Sequence, residues 1–143
     1  MGYLGHSINV IEEEQLKPVP VSTSQNFLDN GIKQSRLDNI DNVIIGNLNI
    51  NSLSAKFDGL ITYIQDTFDI LVLTETKLDN TFYSSQFFID GFSDPYRLDR
   101  NRNGGGIIIY VREDIRSKNL VRHKIPSDIE CLFIELNLGK VSG

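Results

Sequence analysis

The sequence has no tryptophan, one cysteine and two histidines among its 143 residues. A single cysteine excludes an internal disulfide, and two histidines with one cysteine cannot form a zinc site of recognised spacing. No apolar run approaches the about 20 residues of a transmembrane helix. The N-terminus also lacks the basic and apolar regions of a signal peptide. These absences predict an intracellular protein that is neither secreted nor embedded in a membrane.

Several nucleotide-binding and catalytic motifs are also missing. There is no P-loop, no Gly-x-Ser-x-Gly and no Gly-x-Gly-x-x-Gly, so no small-molecule cofactor is expected. Gly104, Gly105 and Gly106 do occur in a row, but they precede an apolar strand pattern rather than a helix. They indicate a loop or bulge where the backbone comes close to another group.

What the chain does contain is typical of one globular domain, with 40% hydrophobic and 23% charged residues. The net charge is −5, yet residues 97–124 hold eight Lys or Arg and three acids, a local charge of +5. This asymmetry fits a surface that faces phosphate on an otherwise acidic body. A solvated basic face also explains it, and charge alone favours this second interpretation.

The first 38 residues differ in composition from the rest. They combine an acidic triplet, two of the four prolines and a Ser-Thr-Ser stretch without a sustained hydrophobic period. Such a segment has little to bury, so we predict a disordered or loosely structured tail over residues 1–38 and a folded domain over residues 39–143.

Regular structure is predicted from residue 42 onward. A strand pattern runs from Val43 through Leu48 and Ile50, and Ser54 can cap the helix that follows. The helix is indicated by an apolar stripe, and residues 70–73 then form a continuous apolar run that is typical of a buried strand. Strand, helix and strand within about 35 residues predict a βαβ unit with parallel strands and a right-handed crossover. The stripe comprises Phe57, Leu60, Ile61, Ile64 and Phe68.

The second half of the chain has a simpler pattern. Residues 107–111 predict a strand, residues 112–124 a charged segment with at most one helical turn, and residues 131–138 a final strand.

Polar residues stand where the two parallel strands end. Asn49 and Asn51 follow the first strand, and Glu75 follows the second. The parallel strands of one βαβ unit end on the same side of the sheet, so we expect these side chains to lie together. Open α/β sheets bind ligands at this position, beyond the carboxyl ends of their strands. A carboxylate suits Mg²⁺, and a nearby amide can bind a phosphate oxygen or a water. The spacing alone also fits a solvent-facing glutamate beside turn-forming asparagines.

Three motifs together resemble the endonuclease/exonuclease/phosphatase superfamily, and more narrowly the apurinic-type endonuclease domain of non-LTR retrotransposons. They occur in order within residues 42–138. The motifs are Leu48-Asn49-Ile50-Asn51-Ser52-Leu53, then Asp69-Ile70-Leu71-Val72-Leu73-Thr74-Glu75-Thr76-Lys77-Leu78-Asp79, and Asp99-Arg100 followed by Gly104-Gly105-Gly106 and Ile109-Tyr110-Val111.

The resemblance implies a role for each site residue. By position, Asn49 corresponds to the catalytic asparagine that contacts the reacting phosphate. Glu75 corresponds to the catalytic residue that ligates Mg²⁺, for which Mn²⁺ can substitute. Asn51 falls at a position where cellular members of the family have a metal-assisting aspartate. Three arginines precede the glycine turn and are expected near DNA, namely Arg97, Arg100 and Arg102.

The resemblance also implies a fold and a setting. The fold is α/β, the N-terminal part of a four-layer sandwich in which two sheets pack between helices. The activity is Mg²⁺-assisted hydrolysis of a DNA phosphodiester, with a nuclear site of action and a reverse transcriptase as a possible neighbour in a polyprotein. The family's later motifs, a Gly-Asp-Phe-Asn-like sequence and an Asp-His pair, do not follow Leu138. We therefore expect a truncated endonuclease that is inactive alone.

Two other functions stay open at this level. A non-catalytic remnant could bind nucleic acid or a protein partner through residues 97–124. A phosphatase of the same superfamily could act on lipid or nucleotide phosphates.

Overall fold

The computed structural model describes residues 8–11, 34, 36–38, 41–64, 66–119, 126 and 128–139. Helix α1 (Leu53–Ile64) and a 3-10 helix (Ser84–Phe87) lie among seven strands in this part of the chain. The strands are β1 (Ile8–Ile11), β2 (Val43–Asn49), β3 (Ile70–Thr74), β4 (Tyr96–Leu98), β5 (Ile107–Val111), β6 (Arg116–Asn119) and β7 (Ile134–Asn137).

The predicted βαβ unit is present as β2, α1 and β3. The two strands are parallel, and Ile45 is paired with Ile70 and Asn49 with Thr74. The helix begins at Leu53, so Ser54 lies inside its first turn and the prediction that Ser54 caps it is wrong. Leu53 is fully buried, so the helix packs against the sheet from its first residue.

Five strands form the main sheet in the order β1, β2, β3, β5, β4. Strand β5 is antiparallel to β3, and β4 is antiparallel to β5. The apolar strand β1 lies parallel to β2, with Ile8 opposite Val43. The expectation of a loosely structured tail is therefore wrong for residues 8–11, which add a strand to the sheet. Most of the remaining residues 1–38 lie outside the described part of the chain.

One face of this sheet is covered by α1 and the segment around the 3-10 helix. Alternate residues of β2, β3 and β5 point to this face, among them Ile44, Leu71 and Tyr110, and all three are completely buried. The Tyr110 hydroxyl donates to the Phe87 carbonyl oxygen at 2.7 Å, which joins β5 to the 3-10 helix. Burial raises the pKa of this hydroxyl, so it is protonated as a donor throughout the physiological range.

The opposite face of the sheet packs against the segment that contains β6 and β7. Val43, Ile70 and Ile109 are buried there, and half-buried side chains of that segment, such as Ile134 and Leu136, pack against them. The segment contains a two-stranded sheet in which β6 and β7 are antiparallel. A final strand was predicted and is confirmed. The predicted helical turn within residues 112–124 is wrong for residues 116–119, because cross-strand pairing with β7 makes them extended.

A buried carboxylate ties the start of β3 to two other segments. Asp69 Oδ2 accepts hydrogen bonds from the Ile44 backbone N–H at 2.8 Å and from Arg36 Nη2 at 2.7 Å. Arg36 Nε also donates to the Thr67 carbonyl oxygen at 2.8 Å. Asp69 is only 4% exposed, so the first acid of the motif at residues 69–79 stabilises the fold and does not face solvent.

The described fold is thus α/β, while the four-layer sandwich stays a prediction. Of the helices in the described part of the chain, none has both the length and the apolar character that crossing a bilayer requires.

Candidate metal and phosphate site

The carboxyl ends of β2 and β3 lie side by side, as the sequence predicts. The pairing continues beyond the strands, because the Ile50 N–H donates to the Thr74 carbonyl and the Ser52 N–H to the Glu75 carbonyl, both at 2.9 Å. Asn49 is therefore adjacent in the sheet to the residue that precedes Glu75. Asn49 is exposed and Glu75 is half-buried. The structure brings these two predicted site residues to one sheet edge.

Backbone strain is concentrated at this edge. Among the described residues, four that are not glycine have a positive φ, and all four follow β2 or β3. They are Asn51 (47°), Ser52 (87°), Glu75 (54°) and Lys77 (55°). A positive φ is unfavourable for a residue with a Cβ, and such residues cluster where the surrounding structure holds them for a function.

The Glu75 carboxylate is held by the glycine turn, which we define as residues 104–106. Its Oε2 accepts the Gly105 N–H at 2.9 Å. The Gly105 carbonyl in turn accepts the Lys77 N–H at 2.9 Å. The sequence predicted that the glycines allow a close approach of the backbone, and the group that approaches is the predicted metal ligand itself.

Two of the three turn positions require glycine on conformational grounds. Gly105 has a φ of 74° and Gly106 a φ of 96°, a region that L side chains rarely adopt. Space is limiting as well, because a Cβ on Gly105 would overlap the side chains of Arg100 and Glu130, and one on Gly106 would overlap Thr76 Oγ1. The side chains of Arg100, Glu130 and Thr76 therefore pack closely against the turn.

Glu130 is a functional candidate that the sequence reasoning missed. Its Oε1 and Oε2 accept the Gly106 N–H at 2.8 and 3.2 Å. Arg100 lies beside it, with 3.8 Å between Arg100 Nε and Glu130 Oε1, and also donates to the Gly104 carbonyl at 3.1 Å. An acid just before an apolar strand is a common pattern, so no local signal distinguished this one.

The two asparagines have different surroundings. Asn49 Oδ1 accepts the Asn51 N–H at 3.2 Å in a local turn. Lys56 Nζ donates to the carbonyl oxygens of Ile50 and Asn51, both at 2.9 Å. The ammonium group of Lys56 therefore sits beside Asn51, where it favours an anion such as phosphate over a second cation. A metal role for Asn51 stays a prediction.

Arg97 is engaged inside the protein. Its guanidinium donates to both carboxylate oxygens of Asp99 at 2.8 Å, and to the carbonyl oxygens of Asp79 and Phe82 at 2.7 Å. Its side chain is 12% exposed. These contacts organise the loop after β3, so the structure does not favour the predicted position of Arg97 near DNA.

The other two arginines are accessible. The side chain of Arg100 is 54% exposed and that of Arg102 is 63% exposed. Arg102 lies 5.6 Å from the centre of the Phe82 ring and 3.4 Å from Asp79 Oδ2. Hydrogen bonds from the Thr81 hydroxyl and N–H lower the pKa of the Asp79 carboxyl, with the two neighbouring arginines adding to the effect.

The donor set fits Mg²⁺ in part. A carboxylate has about four lone-pair sites, so one hydrogen bond from Gly105 leaves others for a cation. Mg²⁺ keeps several waters and is bound by one or two protein carboxylates, a role that Glu75 can fill. Within the described residues, no group of three His, Cys, Asp or Glu side chains is placed to hold a metal ion.

Comparison with protein-family models and with curated proteins found no match to this chain. The resemblance to the endonuclease family therefore rests on the three motifs, and the roles that it implies stay predictions. The geometry at the sheet edge is the independent evidence for a site.

Proposed function

We propose that this chain carries part of a Mg²⁺-dependent DNA endonuclease site, in which Glu75 is a metal ligand and Asn49 contacts the phosphate. One observation carries the proposal. The Glu75 carboxylate is fixed by the Gly105 N–H at the carboxyl end of β3, next to the end of β2 where Asn49 is exposed. A fixed carboxylate and an exposed amide at the ends of two adjacent strands suit a cation that bridges protein and phosphate.

Different residues of the chain would bind the phosphodiester in different ways. The Asn49 amide can donate to a phosphate oxygen, and the charges of Lys56 and Arg100 attract the DNA backbone. Bound Mg²⁺ would polarise the phosphate and stabilise the charge that develops during hydrolysis. Glu75 would ligate the cation through its carboxylate, and the Gly105 N–H holds the orientation of that carboxylate.

Catalysis needs more groups than the described residues provide. They supply one metal carboxylate and two amides, and they contain no three-ligand cluster. We therefore expect Mg²⁺-dependent binding of DNA by this chain but no nicking of supercoiled plasmid.

The metal part of the proposal is tested by Mn²⁺ binding, followed by electron paramagnetic resonance with competition by Mg²⁺. Glu75→Gln should weaken Mn²⁺ binding at least about tenfold, because an amide carries no charge to ligate the cation. Glu113→Gln, which alters an exposed carboxylate, should leave the affinity unchanged. Equal affinities for wild type and Glu75→Gln would overturn the proposal.

The DNA part is tested by fluorescence anisotropy with a short labelled duplex, with and without Mg²⁺. The wild type should bind more tightly with Mg²⁺, and Glu75→Gln should lose only this increment. Asn49→Ala should weaken binding with the metal present, because the exposed amide no longer donates to phosphate. DNA binding that ignores Mg²⁺ would contradict the proposal.

A second candidate function is non-catalytic nucleic-acid binding, and exposed basic side chains favour it. Arg100, Arg102 and Lys118 are 54, 63 and 69% exposed. This function predicts DNA affinity that falls steeply with salt, weakens in Arg100→Ala and does not respond to Mg²⁺ or to Glu75→Gln. The same anisotropy experiment therefore separates the two functions.

A further inference from the structure

We infer that Glu130 is a positioning residue that orients the Glu75 carboxylate through the glycine turn. The inference rests on the proposed function, since it concerns the group that would hold the metal. It adds a second acid, 55 positions further along the chain than Glu75, to the machinery of the same site.

The contacts form a short relay of hydrogen bonds. The Gly105–Gly106 peptide is held on both sides, because its N–H donates to Glu130 at 2.8 Å and its carbonyl accepts the Lys77 N–H at 2.9 Å. The preceding peptide then presents the Gly105 N–H to Glu75 Oε2 at 2.9 Å. Fixing one peptide of the turn therefore sets the direction of the N–H that holds Glu75.

Such a restraint is needed because of the residue type. Glycine has the widest backbone freedom of all residues, so three in succession do not hold a single conformation by themselves. A hydrogen bond from an N–H to an ionised carboxylate is about twice as strong as one between neutral groups. Glu130 is half-buried, which protects this bond from competition by water.

The absence of side chains in the turn leaves room for the acid. A Cβ on Gly105 would overlap Glu130 Oε1 and Arg100 Nε. Arg100 lies beside the same carboxylate, with 3.8 Å between Arg100 Nε and Glu130 Oε1, and its Nε donates to the Gly104 carbonyl. Glu130 and Arg100 therefore both hold the turn by hydrogen bonds, next to the strand end that carries Glu75.

The test compares Mn²⁺ affinity in Glu130→Ala and Glu130→Gln, with electron paramagnetic resonance as the readout. Glu130→Ala should weaken Mn²⁺ binding about tenfold, as loss of an outer-shell partner typically does. Glu130→Gln should bind Mn²⁺ more tightly than Glu130→Ala and less tightly than wild type, because the Gln carbonyl oxygen still accepts the Gly106 N–H through a weaker, neutral hydrogen bond. If Gln is as weak as Ala, Glu130 acts through its charge or as a direct ligand, and the inference is overturned.

Two further variants separate this inference from the proposed function. Glu135→Ala removes a neighbouring, exposed acid of β7 and should bind Mn²⁺ like wild type. Glu75→Gln should lose binding whatever Glu130 does. If Glu75→Gln binds normally, the proposed function fails. If Glu75→Gln loses binding and Glu130→Ala keeps it, the inference alone fails.

Glu130→Asp covers the case in which Glu130→Ala does not fold, judged by its circular dichroism melt. Aspartate keeps the charge but is one methylene shorter, so it cannot reach the Gly106 N–H from the same backbone position. The inference predicts weaker Mn²⁺ binding for Glu130→Asp than for Glu130→Gln. The reverse order would overturn it.

Discussion

The bodies of β2 and β3 differ from their carboxyl ends in almost every physical respect. Within the strands, Ile44, Leu71 and Leu73 are fully buried and belong to one core cluster. At the ends, Asn49 is exposed, Glu75 is half-buried, and the backbone takes the left-handed conformations that L-residues avoid. The strand bodies therefore stabilise the fold, whereas the strained strand ends lower its stability and hold polar groups in a fixed arrangement.

The comparison shows how a strained edge is maintained. Hydrogen bonds between backbone groups join the two ends, as between Ser52 and Glu75, and the glycine turn fastens the second end through Gly105. These bonds offset the cost of the positive φ values, which is of order 1–3 kcal/mol at each residue. Strain that persists at one edge and nowhere else in the described part of the chain supports a functional role for that edge.

The largest expected effect comes from breaking the strand body with Leu71→Ala. Leu71 is fully buried, so the cavity should lower the free energy of unfolding by about 2–5 kcal/mol. Mn²⁺ affinity of the folded fraction should not change, because Leu71 points away from the site. Denaturant unfolding with Val72→Ala as the half-buried control measures this difference. An equal loss in both variants would contradict the assignment of the main core to the Leu71 face.

The second expected effect comes from relieving the strained edge with Ser52→Gly. At a φ of 87°, glycine should raise the free energy of unfolding by about 1 kcal/mol. Ser54→Gly, only two residues later but within α1, should lower it by about 0.5–1 kcal/mol, because glycine loses more backbone entropy in a helix. Chemical denaturation of the two variants side by side checks the contrast. A similar loss in both would show that no strain is stored at Ser52.

The smallest expected effect concerns Asp79, just beyond the strained segment. Because Thr81 lowers the pKa of its carboxyl in the folded state, ionised Asp79 contributes stability above the unfolded pKa, and this contribution is lost as pH falls through the folded pKa. The melting temperature of Asp79→Asn should thus lie below that of wild type at pH 7 and approach it below about pH 4. Melting curves across this range test the sign. A difference that widens in acid would refute it.

The fold was predictable where local pattern and local pairing coincide. The parallel strands β2 and β3, the helix between them and strand β5 follow from hydrophobic periodicity, and each is confirmed. Strand β1 was missed because three apolar residues and one asparagine inside a polar segment become a strand only when a neighbour supplies hydrogen bonds. Strand β6, which is mostly exposed and contains only polar or charged residues, was missed because it becomes a strand only when β7 supplies hydrogen bonds.

The site was predictable in part. Two parallel strands around one helix must end on the same side, so the proximity of Asn49 and Glu75 follows from sequence once the βαβ unit is recognised. The role of Arg97 could not be read in this way, because basic composition does not reveal which guanidinium is buried among carbonyl groups.

By itself, the sequence determined the α/β character, the βαβ unit and the polar residues at its strand ends, because these depend on periodicities of two and 3.6 residues that are written into neighbouring positions. Only the tertiary structure decided that Glu75 meets the glycine turn and that Glu130 meets its next N–H. Those contacts join segments separated by 30 and 24 positions. The first contact depends on the pairing of β3 with β5, and the second on how the segment before β7 packs against the main sheet; no local periodicity encodes either.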